Sequence, residues 1–211
     1  EAAGAGVNVG LGFCGQANHL CIASAFEIED SIVGPAVLIV ANQRPLGVGR
    51  ETGLPRSGKT EKQRNVAALA PPFETTPGHH GVSAALEFAV TQLEVEEIIV
   101  MGHGLCGGCA ASLTGEFDDA KLGEGKFISD WVSLLDGARE NVLARHQELD
   151  WQAFVEMELE AVQVSLGNLR TFPWIAERER DGRLSLHGCH FSIADGKLYV
   201  LDEAENIFRP V

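Results

Sequence analysis

Basic side chains are scarce in this chain: 16 Lys and Arg stand against 30 Asp and Glu, a formal net charge of −14 over 211 residues. A surface that holds nucleic acid needs clustered Lys and Arg, so a nucleic-acid partner is not expected. No run of 18 apolar residues occurs, and no membrane span is expected. The N-terminus has no basic stretch leading into an apolar one, so no secretory leader is visible, although a processed chain would have lost it. Five cysteines (Cys14, Cys21, Cys106, Cys109, Cys189) are too few and too irregularly spaced for a disulfide framework. A reducing, cytoplasmic setting is the expectation.

What is present divides near residue 63. Residues 1–63 hold 10 of the 24 glycines and show little periodicity. The exception is "PAVLIVA" (35–41), which reads as a short buried strand, followed by a loop over 42–63. From residue 64 the signals are clean. Val82, Ala85, Leu86, Ala89, Val90 and Leu93 fall on one helical face. "EEIIVMG" (96–102) reads as a buried strand, and "CAASL" opens a helix after the glycines. A helical pattern runs through "KFISDWVSLLDGARENVLARH", and Asp150 can cap a further helix carrying Phe154, Met157, Val162 and Leu166. "LSLHGCHFSIADGKLYVLD" reads as two strands about an Asp195-Gly196 turn. Alternating helices and strands predict an α/β fold, a central, mainly parallel sheet flanked by helices, in a single domain over 1–211 with an atypical segment at 1–63.

The chemistry concentrates in "GHGLCGGC" (102–109), where the apolar strand meets the next helix. In open α/β sheets ligands bind at this carboxyl end of the strands. An imidazole at 103 and a thiolate at 106 can reach one ion if the turn is tight, and the glycines permit unusual dihedrals there. The amino end of the new helix would favour the Cys106 thiolate, and mixed nitrogen and sulfur donors select Zn²⁺. Two other readings compete. His103 and Cys106 are then a satisfied imidazole and a buried thiol in a glycine turn, or Cys106 and Cys109 form a redox pair. Cys109 also reads as a small hydrophobe packed beneath the turn.

The stretch "SAALEFAVTQLEVEEIIVMGHGLCGG" resembles the β-class carbonic anhydrases, and so do "RNVAALAPP" (64–72), "SLGNLRTFPWIAE" and "GRLSLHGCHFSIADGKLYVLD". The resemblance covers about residues 64–211. It implies a β-carbonic-anhydrase-like fold and reversible hydration of CO₂ to bicarbonate and a proton by a zinc-bound hydroxide. It also implies Zn²⁺ on two Cys and one His, with His103 and Cys106 as two ligands and support from the backbone near Gly107, and a homodimer or homotetramer. Hydrolysis of carbonyl sulfide or carbon disulfide on the same scaffold is an alternative, and so is a non-catalytic member without a complete metal site.

The family's third ligand belongs to a Cys-x-Asp-x-Arg motif after an upstream strand. At that register this chain holds Asn42, Arg44 and Leu46. Three readings stay open. The residues written for 1–63 are not the protein's own, which the kept spacing and the abrupt recovery at Arg64 favour. Alternatively the chain is a degenerate member, or Cys14 or Cys21 moves in to complete the site. Elsewhere, His79 and His80 read as loop and cap residues or as lining for the mouth of the site. His187 and His190 read as structural. Trp131, Trp151 and Trp174 read as core or interface anchors.

Overall fold

A computed structural model describes residues 36–40, 60–64 and 69–211, with side chains described from Leu69 onward. The described elements lie in the unit Gly34–Pro210. A single domain over 1–211 therefore remains an expectation for residues outside those described, as do all positions proposed at 14, 21, 42, 44 and 46.

Six described strands form one sheet in the order β2-β1-β3-β4-β5-β6: β1 Ala36–Val40, β2 Thr60–Arg64, β3 Glu97–His103, β4 Ser185–Ser192, β5 Lys197–Asp202 and β6 Ile207–Pro210. The α/β class is as expected, but the sheet is mixed rather than mainly parallel. β3 and β4 pair in parallel, whereas β1·β2, β1·β3, β4·β5 and β5·β6 are antiparallel. Tight turns force the second half of this pattern, because strands joined by a few residues must reverse direction. The long helical connection between β3 and β4 allows their parallel pairing.

β2 corrects the reading of 42–63 as loop. Its sequence, TEKQR, carries no apolar alternation, and among the described strands it lies at the edge of the sheet. β3 is the opposite case. Ile98, Ile99 and Val100 are all at most 1% exposed, so the strand is covered on both faces.

Six α-helices are described: α1 Gly81–Glu87, α2 Gly107–Thr114, α3 Lys126–Val132, α4 Asp136–Arg145, α5 Trp151–Leu169 and α6 Pro173–Arg180. The expected face through Leu93 is continuous, but after α1 it runs through a π-helical turn, Phe88–Gln92. α5 organises the core. Its first half contributes Ala153, Met157 and Ala161 to a cluster with Cys106, Cys109 and Leu113. Its second half brings Val162, Leu166 and Leu169 against Ile98 and Val100 of β3. Asp150 caps it as expected, its carboxylate accepting from Ala153 N at 3.0 Å. Among the described residues no helix is long and apolar enough to cross a membrane.

Candidate metal centre

The last residue of β3 is His103, and Cys106 is the N-cap of α2, so the strand end and the helix start bring the two side chains to one cleft. Gly102, Cys109, Glu158, Ala161 and Val162 complete its lining. The turn between them is built differently from the sequence reading. None of its glycines takes a left-handed conformation; Leu105 does, at φ 59 with 64% of its surface exposed. The glycines serve close approach instead: a Cβ at Gly104 would stand 3.2 Å from Ile193 N.

His103 is fixed by its neighbour's backbone. Its Nδ1 lies 2.7 Å from Gly104 O, which makes Nδ1–H the donor and leaves a lone pair on Nε2. Nε2 is buried and has no hydrogen-bond partner. Burial alone would lower this imidazole's pKa. The Cys106 sulfur, the Gly104 carbonyl and Glu158 together outweigh it and raise the value.

The three thiols near the sheet differ sharply. A hydrogen bond from Cys109, followed by the His103 interaction, outweighs burial and brings Cys106 down to about 4. The same bond and burial push Cys109 well above its ordinary value. Burial alone lifts Cys189 to about 12. Of the two in the turn, Cys106 is the one favoured as thiolate, and Cys109 packs beneath it with 3% exposure.

These features fit a thiophilic cation: an orphaned imidazole nitrogen lies in a cleft that also holds a thiol whose pKa is lowered. They supply two donors. Among the described residues no group of three His, Cys, Asp or Glu side chains could hold a metal ion. The third donor expected at Asn42 lies outside them. Gly107 leaves the approach open, because a Cβ there would meet nothing within 4 Å.

Three further histidines, His80, His187 and His190, have side-chain partners of their own. His80 is the N-cap of α1, with Nε2 2.7 Å from Thr76 O and Nδ1 3.3 Å from Glu74. His187 Nε2 pairs with Glu97 at 2.5 Å. His190 pairs with Glu158, a residue the sequence reading passed over. Its signal was there: a Glu inside the buried stripe Met157, Ala161, Val162, Ser165. Of the tryptophans, Trp174 stacks edge-on with Phe73 and Phe172, while Trp151 is 52% exposed.

A family model described as carbonic anhydrase matches residues 56–198. β carbonic anhydrase 3 of Arabidopsis thaliana is 35% identical over 134 residues, covering 63% of this chain and 51% of that protein. The chain thus spans about half the length of that curated relative. Among solved structures, the β-carbonic anhydrase CcaA superposes with a TM-score of 0.62 at 29% identity, over 70% of this chain and 65% of that one. One of two tetrameric β-carbonic anhydrases from Sordaria macrospora gives 0.53 at 25% identity, over 66% of each chain.

Proposed function

This chain belongs to the β-class carbonic anhydrase family, and from that premise we propose that it catalyses CO₂ + H₂O to HCO₃⁻ + H⁺, with Zn²⁺ held by His103, Cys106 and a third donor at the position of Asn42. The observation that carries the reading is the unpartnered, buried Nε2 of His103 in the cleft that also holds Cys106. When bound, zinc supplies Lewis acidity that makes water a nucleophile near neutral pH. The chain's own residues do the rest. The Gly104 carbonyl fixes the imidazole tautomer, and Cys109 donates to the Cys106 sulfur. First-turn amides of α2 about Gly107, which have no carbonyl within the helix to bond, offer donors to an anionic product at the open end of the cleft. Bicarbonate is such an anion.

A second reading is favoured by one observation. Asn, Arg and Leu stand at 42, 44 and 46, where the resemblance expects Cys, Asp and Arg. A chain with those residues would keep the fold and bind zinc weakly, as a non-catalytic member. The two readings separate in one experiment. Zinc is counted by elemental analysis, and CO₂ hydration is followed by stopped flow before and after chelation. Near one zinc per chain with chelator-sensitive hydration supports the enzyme; folded, zinc-free, inactive protein supports the second. For assembly we propose a dimer or tetramer, as the tetrameric Sordaria macrospora relatives suggest, which light scattering would test.

A further inference from the structure

Glu158 is a carboxyl group inside an apolar stripe, 4% exposed, between Met157 and Ala161 on α5. Removing such a group from water is costly unless its oxygens find partners. Both oxygens do. Oε1 accepts the Cys106 N–H at 3.0 Å, and Oε2 stands 3.0 Å from Nε2 of His190, itself 4% exposed. One carboxyl group therefore joins α5, β4 and the turn that carries both metal donors.

That turn needs an anchor. Leu105, directly before Cys106, sits at φ 59, a strained conformation for a non-glycine residue that persists where its surroundings impose it. Its exposed side chain imposes nothing. Restraints act on its backbone: Gly104 N donates to Phe191 O at 2.8 Å, Ala110 N to Cys106 O at 2.9 Å, and Cys106 N to the Glu158 carboxylate at 3.0 Å. A buried polar pair of this kind is often replaceable by apolar residues of similar volume without loss of stability. Stability alone gives little reason for a Glu here; holding the Cys106 amide does.

We propose that Glu158, aligned by His190, is the positioning residue that presets the His103–Cys106 turn to receive its metal; the metal part rests on the zinc reading above. Glu158 acts through Cys106 and touches no reacting atom. The test uses the full chain as wild type, Glu158→Gln and Glu158→Leu. Gln keeps an acceptor for the Cys106 amide, while Leu fills the volume and offers none. In metal-free protein, amide exchange at Cys106 is expected to be at least about tenfold faster in E158L and within about threefold of wild type in E158Q. Zinc affinity, read by competition with a chromophoric chelator, is expected to fall roughly 10–100-fold in E158L and to be largely restored in E158Q. If circular dichroism shows E158L unfolded, His190→Phe, which removes the partner of Oε2, carries the test in the same direction. Exchange and affinity unchanged in folded E158L, or in H190F where E158L does not fold, overturn the proposal. A wild-type chain that takes up no zinc overturns the metal reading, and the exchange rates still decide whether Glu158 holds the turn.

Discussion

A Cβ placed on Gly102 would fall 2.7 Å from Cγ2 of Val162, so α5 rests directly on the backbone of the strand that ends in His103. The same Val162 faces Gly188 on the neighbouring strand, where a Cβ would stand 2.9 Å from its Cγ1. Val162 thus sits over two glycines, and α5 lies as close to the sheet as it does because neither has a side chain. Gly102→Ala is expected to lower stability by about 1–3 kcal/mol through overpacking. Val162→Ala should make room, so the double variant should lose less than the sum of the singles by about 1 kcal/mol. Urea unfolding of the four chains measures this coupling; strict additivity would show that the contact does not set the spacing.

The two cysteines of the turn should respond differently to removal. Cys106 is the lowered thiol, to about 4, while Cys109 is raised and packs with Leu113 and Leu135. Cys106→Ala is expected to abolish stoichiometric zinc. Cys109→Ala should retain it with an affinity loss of about tenfold or less, the size of a lost partner that only supports a ligand. Elemental analysis after gel filtration reads both. A C109A chain as zinc-poor as C106A would make Cys109 a ligand.

Legibility followed the locality of each signal. The β3 strand, the α1 face, the Asp150 cap and the Asp195-Gly196 turn were readable because short-range periodicity and turn chemistry specify them. Gly196 indeed takes φ 67. The edge strand β2 was not, since an edge carries no apolar alternation. Strand direction was not either, because β1 pairs with β3 across an interval whose residues say nothing about orientation. That His103 and Cys106 would meet at one place was readable from their spacing, and they line one cleft. Glu158 is 52 residues from Cys106 and meets it only once α5 has packed on the strand end. Leu105 shows the limit of composition: in a glycine-rich turn the left-handed position went to the leucine.

Acid stability offers a separate check at the β4–β5 turn. Hydrogen bonds from Ser192 and from Tyr199, whose hydroxyl donates at 2.9 Å, bring the Asp195 carboxyl down to about 2 from an ordinary 3.8. A depressed folded-state pKa stabilises above the unfolded value and is lost as pH falls through the folded one. The stability difference between wild type and Asp195→Asn should therefore hold steady from about pH 7 to 5 and close between about pH 4 and 2. Thermal melts across that range test it. A difference unchanged near pH 2 would mean that the carboxylate's charge contributes nothing there.

Arg170, the C-cap of α5, bridges two acidic side chains from different elements. Its guanidinium donates to Glu179 of α6 at 2.8 Å and to Glu203, just past β5, at 2.7 Å. The two carboxylates raise its already high pKa further. Removing the cation leaves Glu179 and Glu203 facing each other across its place. The side chain is 35% exposed, so solvent screens part of the interaction. Arg170→Met is accordingly expected to cost about 1 kcal/mol, at the upper end for exposed pairs because two partners lose their donor. Arg170→Lys should recover less than half of that, since an ammonium cannot present the planar fork that meets both carboxylates. The loss should shrink in roughly 0.5 M salt, where the Debye length is under about 5 Å. Urea midpoints at two salt concentrations read all three; a cost for R170M that salt leaves untouched would assign the residue's role to packing of its aliphatic stem rather than to its charge.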